Sequence, residues 1–157
     1  MKTTSLMSVG VLAGVFGLAT AGWGESEEVS AQTDSTMAEL VFGVSLSTDK
    51  GIYAAGDSIV MELVVFNRTP ESLIFDFRDA QHFDFIIEDM EGNRVWRWAD
   101  GRMFIQVLGE EILGPGRAEV IYTGTYTGPL QPGDYTVIGS FISSNRPLSA
   151  SLTITIE

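Results

Sequence analysis

The chain contains no cysteine, a single histidine at position 82, and only 9 Lys+Arg against 21 Asp+Glu, a formal net charge of -12 over 157 residues. Each shortage excludes something. Without cysteine there is no disulfide framework, thiolate nucleophile, zinc knuckle or lipid-accepting thiol. One histidine leaves little for a multi-histidine metal site. Affinity for nucleic acid comes largely from Lys and Arg neutralising phosphates, so the acid excess argues against a DNA or RNA partner. No window shows a sustained helical period. What the chain does have is 45% hydrophobic residues, enough for an ordinary core, and a length that suits one domain.

The N-terminus reads differently from the rest. Lys2 precedes an apolar run, Leu6 to Gly24, with no charge before Glu25, and small residues gather at Ala19-Thr20-Ala21. A positive start, an apolar stretch and a small-residue end are the layout of a secretory signal, so residues 1–21 are expected to be a signal peptide. A second small-residue site, Val29-Ser30-Ala31, lies far from the apolar run. Leu6 to Trp23 approaches the length of a membrane span, so a membrane contact is expected only if this segment stays uncleaved. Residues 22–38 are polar and acidic without periodicity, a flexible leader. Removing residues 1–21 takes away one charged side chain, Lys2, so the acidity belongs to what remains. The expected location is secreted or cell envelope, and cytoplasmic only if the signal reading fails.

From residue 39 to 157 apolar residues recur at period two, the mark of half-buried strands. Leu40, Phe42, Val44 and Leu46 share a face of one strand. Ile59, Met61, Leu63 and Val65 do so in a second, Leu73, Phe75 and Phe77 in a third, and Phe83, Phe85 and Ile87 in a fourth. Asp89 to Asn93 reads as a hairpin turn leading to a strand with Val95, Trp96 and Trp98. Further strands are expected over Met103 to Leu108, Ala118 to Tyr122, Tyr135 to Ile142 and Leu148 to Ile156, separated by Gly and Pro clusters. About eight short strands without a helix predict an all-β, immunoglobulin-like antiparallel β-sandwich. Two details favour that version. Leu130 to Tyr135 places a turn directly before a strand-opening tyrosine, suited to a tyrosine corner, and Trp96 or Trp98 suits the large central core position.

Chemistry is sparse. A Ser-His-acid hydrolase needs His82 as base, and no Gly-x-Ser-x-Gly elbow presents a nucleophile, so His82 is expected to bond neighbouring backbone at a strand end. Glu88 to Asn93 offers part of a calcium loop, yet a solvated acidic hairpin accounts for it as well. No catalytic residue, metal site or cofactor is assigned. The unusual stretch is Asn93 to Phe104. Strand geometry sends Trp96 and Trp98 to one face and Val95 and Arg97 to the other, with Arg94, Arg102 and, if it packs back, Arg117 nearby. Tryptophans here fill the core while arginines offset surrounding acids, or the stretch is a protein contact, since Trp and Arg are favoured interface anchors. Trp96, Arg97, Trp98, Arg102, Met103, Phe104 and Leu113 are the candidate contact residues.

The same residues carry a resemblance. Phe75-Asp76-Phe77, Phe83-Asp84-Phe85 leading to Glu88-Asp89-Met90-Glu91-Gly92, Val95-Trp96-Arg97-Trp98 and Gly101 to Gln106 follow one another in order. Leu113-Gly114-Pro115-Gly116 and Leu130 to Tyr135 complete the series. In this order they resemble the BsuPI family, the bacterial intracellular proteinase inhibitor domain, over about residues 39 to 157. The resemblance implies an immunoglobulin-like sandwich and, for the founding member, inhibition of an intracellular subtilisin-type serine protease; it carries over no reactive-site residue. The signal-like start departs from that pattern and points to an exported or envelope target. Two functions are therefore expected to compete. One is binding and modulation of a serine protease, through Ala99 to Met103, Leu113 to Arg117 or Asn145 to Leu148, with Met103 or Leu113 entering its pocket. The other is a non-inhibitory envelope module that binds another protein through a sheet edge or the Trp and Arg strand.

Overall fold

A computed structural model describes residues 42–116 and 118–157. The segments expected to be signal peptide and leader, with Leu40 and Arg117, lie outside the described residues. Ten strands follow in order: β1 (Phe42–Thr48), β2 (Ile52–Tyr53), β3 (Ile59–Asn67), β4 (Leu73–Phe77), β5 (Phe83–Asp89), β6 (Arg94–Arg97), β7 (Gly109–Leu113), β8 (Ala118–Tyr126), β9 (Gly133–Phe141) and β10 (Leu148–Ile156). They form a three-stranded sheet in the order β1-β3-β8, a five-stranded sheet in the order β2-β10-β9-β5-β6, and a small β4-β7 pair. Every pairing is antiparallel except the short β2 against β10.

Alternation explains most of this. In β3, Ile59, Met61, Leu63 and Val65 are all buried, and in β4 so are Leu73, Phe75 and Phe77. In β9, Tyr135, Val137 and Phe141 point into the same core, joined by Ile154 and Ile156 of β10. Each side chain of this kind that leaves water contributes roughly 1.5–3 kcal/mol, and the two large sheets face each other to collect it. Glycine lets them close. A Cβ on Gly139 of β9 would sit 2.9 Å from Leu46 of β1 and 3.0 Å from Leu63 of β3, and one on Gly124 of β8 would sit 2.7 Å from the Phe85 ring of β5. Phe85, fully buried, thus fills the space that Gly124 leaves, and Leu46 and Leu63 fill that beside Gly139.

The sandwich is immunoglobulin-like, with the tyrosine corner in place: the Tyr135 hydroxyl donates to the Gln131 carbonyl at 3.0 Å. The large central aromatic is Phe85 rather than a tryptophan; Trp96 and Trp98 are half-buried and pack against the rim of the core. The reason is that β6 is a short edge strand. Its register against β5 shifts between Ile87 and Glu88, with Val95 as the extra residue between Arg94 and Trp96.

Several boundaries differ from the sequence expectation; Trp98 lies beyond the end of β6, and β9 runs from Gly133 to Phe141. Met103 to Leu108 is not a strand; it runs as an irregular segment without a sheet partner, turned at Gln106 by the Val107 N–H bond to the Ile105 carbonyl, and the strand begins at Gly109. Its apolar residues occupy both parities (Met103, Phe104, Ile105, Val107, Leu108), so no single face separates core from solvent. The short β2 has no counterpart among the expected strands, and β8 runs four residues beyond Tyr122 to Tyr126.

A candidate protein-contact loop

The connection from β6 to β7 runs from Trp98 to Leu108, and its first half is a tight turn. Trp98 N–H donates to the Phe85 carbonyl at 2.8 Å, Asp100 N–H to Arg97 at 3.2 Å and Arg102 N–H to Ala99 at 3.1 Å. Gly101 takes φ of 75°, a left-handed conformation that a residue with a Cβ adopts at a cost. The turn reverses the chain so that Arg102 lies back over Trp98. The Arg102 Nε donates to the Trp98 carbonyl at 2.8 Å while its guanidinium sits 4.1 Å from the centre of the indole. Contacts of this geometry are worth roughly 0.5–2 kcal/mol.

Trp98 is a platform for the loop. Beneath it lie Phe83, at 4.3 Å between ring centres, and then Tyr122, 4.7 Å from Phe83. On the loop side Phe104 packs at 6.0 Å. Farther along, the Ile105 carbonyl accepts Ala80 N–H at 3.0 Å, pinning the loop to the segment between β4 and β5, and also accepts Val107 N–H at 3.0 Å within the loop itself. The backbone is thereby braced at both ends, yet its apolar side chains face water: Met103 is 96% exposed, Ile105 75%, Val107 54% and Leu108 84%. Leaving such surface in solvent forfeits burial energy on folding, and contiguous exposed apolar residues mark contact sites.

The candidate contact residues separate into groups. Trp98, Arg102, Met103 and Phe104 come together in this loop. Trp96 lies on β6 with its ring edge-on to Tyr126 at 5.4 Å. Arg97, on the opposite face of β6, is bonded through Nε to the buried carboxylate of Asp84, which also accepts Ala99 N–H at 3.2 Å. Leu113 is a core side chain, 4% exposed, at the end of β7. Ile105, Val107 and Leu108 were missing from the sequence-based set. Their signal was the two-parity apolar run between Gly101 and Gly109.

At the base of the loop a polar layer replaces the backbone partner expected for His82. The Glu111 carboxylate of β7 accepts the Tyr122 hydroxyl at 2.8 Å, and the same oxygen lies 3.2 Å from His82 Nδ1. The imidazole stacks on Phe77 at 3.8 Å. Burial, and then the bond to Glu111, push the Tyr122 phenol far above its ordinary range. The arginine-bearing face beside it carries a shallow groove of about 340 Å³ between Arg78, Gln81, Arg97 and Ser144.

The acidic hairpin is a capped turn. Asp89 accepts Glu91 N–H at 3.0 Å, Asn93 N–H at 2.8 Å and the Asn93 side-chain amide at 2.9 Å, and these bonds, led by Asn93, hold its carboxyl below the usual range. No group of three His, Cys, Asp or Glu able to hold a metal ion occurs among the described residues.

Comparison with known proteins gives a family and a set of distant folds. The model of a family described as intracellular proteinase inhibitor, BsuPI, matches residues 46–146. No curated protein matches the chain. Among solved structures, the sporulation control protein Spo0M of Bacillus subtilis is 17% identical, with a TM-score of 0.48 over 74% of this chain and 49% of its own. The chain thus spans about half the length of that protein. The CARDB domain of the PF1109 protein from Pyrococcus furiosus, solved with di-metal ions, is 15% identical, with a TM-score of 0.43 over 74% of this chain and 87% of its own. The C-terminal domain of Wzt is 11% identical, with a TM-score of 0.47 over 73% and 70%.

Proposed function

Because the chain belongs to the BsuPI family of intracellular proteinase inhibitors, we propose that it binds and inhibits a serine protease, of subtilisin type, and that it does so outside the cytoplasm. In this reading the segment Met103 to Leu108 is the surface the domain offers to the enzyme. The observation that carries it is the combination of a braced backbone with side chains left in water. Association loses translational freedom and the freedom of every side chain and loop that must be ordered; a loop already fixed in the free protein loses less. With no disulfide, that order comes from the Trp98 platform and the Ala80 bond to Ile105. Binding then buries the apolar side chains that folding left exposed, so folding and inhibition use different parts of one hydrophobic inventory.

Export rests on residues 1–21 and on the small-residue site ending at Ala21. The test of inhibition is titration of the full chain against subtilisin-type proteases with a peptide substrate. Residual activity is expected to fall with inhibitor concentration; full activity with the chain in large excess would reject that class of target. The test of export is expression in a bacterial host followed by N-terminal sequencing of the chain found outside the cytoplasm. A sequence starting at Gly22 is expected, and retention inside the cell with Met1 still present would reject it.

A further inference from the structure

We infer that Met103 is the residue that enters the primary specificity pocket of the target proteinase. The inference rests on the inhibitory reading above and deepens it by naming the anchor and the pocket chemistry. At 96% exposure, Met103 is the most exposed large hydrophobic residue among those described. Its two neighbours are both tied to Trp98: Arg102 by a hydrogen bond to the main-chain carbonyl and a guanidinium over the indole, Phe104 by ring contact. A side chain between two such fixed neighbours projects from a defined point while remaining free itself. Ile105, two residues on, also faces water, and its carbonyl is already fixed to Ala80.

The main chain suits the same occupant. Among the described residues, Met103 N–H and C=O have no hydrogen-bond partner, so both can pair with a strand lining an enzyme cleft. The side-chain chemistry selects the enzyme. Methionine is unbranched, apolar and adaptable, which fits a deep apolar pocket and leaves the carboxylate of an acidic pocket unpaired. The partner is therefore a proteinase that accepts a long apolar side chain at its primary site, and its contact with Met103 is the centre of the interface rather than its rim.

The experiment measures inhibition constants of the full chain and three variants, Met103→Asp, Met103→Lys and Ile121→Asp, against subtilisin-type, chymotrypsin-like and trypsin-like proteases. Ile121 is exposed on β8 and serves as a charge control. Met103→Asp is expected to weaken inhibition by roughly 100-fold, the range of a central anchor. Met103→Lys is expected to weaken it against apolar pockets and to gain it against the trypsin-like enzyme. Ile121→Asp is expected to match the parent chain. Thermal melts of each variant report folding independently. A parent chain that inhibits no protease in the panel overturns the inhibitory reading and this inference with it. Parent-level inhibition retained within threefold by a folded Met103→Asp overturns this inference alone.

Discussion

Asp84 and Arg97 form an unequal pair. The Asp84 side chain is buried, whereas that of Arg97 is partly open to solvent. Removing the arginine strands a carboxylate in the interior, while removing the aspartate lets a guanidinium turn toward water. Arg97→Ala is therefore expected to destabilise by about 3 kcal/mol and Asp84→Ala by distinctly less, as read from urea unfolding. Equal losses would mean that the pair acts through packing instead of charge. Tyr122 supplies a second single-residue prediction. Its folded-state pKa is raised above the unfolded value of about 10, so its contribution is complete below that pH and declines as the pH climbs above it. The urea midpoint is expected to fall above about pH 10, and Tyr122→Phe to flatten part of that slope; Tyr53 and Tyr126, also raised by burial, and Lys50, raised by its bond to Asp57, add to it. At this scale the sequence announces what is local. Tyr135 and its carbonyl partner lie four residues apart and are legible. His82 and Glu111 are 29 residues apart, and nothing in the neighbourhood of His82 points to β7. Asn67 is equally silent, although its buried amide joins the end of β3 to the carbonyls of Glu71, Leu113 and Gly114.

Strands β4, β9 and β10 are legible because each buries one parity of an alternation, and β3 and β5 follow it except at Phe66 and Asp84, which are buried on the other parity. The β6–β7 region is not. Its apolar pattern predicts a strand that the fold does not form, since a strand requires a neighbour with free backbone groups as well as suitable side chains. Neither the neighbour nor the orientation of Met103 and Ile105 toward solvent is encoded in periodicity. The candidate site was thus half visible: Trp98 to Phe104 from composition, Ile105 to Leu108 as an apolar run whose exposure the fold alone shows. A packing device between elements is also hidden in sequence. Gly124 and Gly139 read as interruptions of β8 and β9, yet Gly124 makes room for Phe85 and Gly139 for Leu46 and Leu63. Gly124→Ala forces a Cβ to 2.7 Å from that ring, backed by the core, and is expected to cost about 1–3 kcal/mol in thermal or urea unfolding. A neutral effect would show that Phe85 can shift toward Trp98 without loss.

The net charge of -12 acts on the molecule as a whole. Few carboxylates are paired among the described residues; the close ion pairs are Lys50 with Asp57, Asp84 with Arg97, and Glu111 with His82 when protonated, with Arg94 and Asp100 more distant. Self-repulsion of unpaired acids opposes compactness, and added salt screens it over about 10 Å at 0.1 M. The melting temperature is expected to rise by a few degrees between low salt and 0.3 M sodium chloride, as followed by circular dichroism. A melting temperature that falls would indicate that the few ion pairs outweigh the repulsion. The acid excess also bears on partners: an enzyme with a basic rim around its cleft would be drawn to this domain faster at low ionic strength.

The stacking of Arg102 on Trp98 has a consequence for observation. A cation held against an indole perturbs the excited state of that ring, so Trp98 carries an optical signature of the loop's resting state. Anything that seats on Met103 and draws its neighbour Arg102 away changes that signature. In a chain with tryptophans at 23, 96 and 98, replacing the first two by phenylalanine leaves a single emitter directly beneath the loop. The intensity and wavelength of its fluorescence then report occupancy in real time, without any label attached to the surface under study.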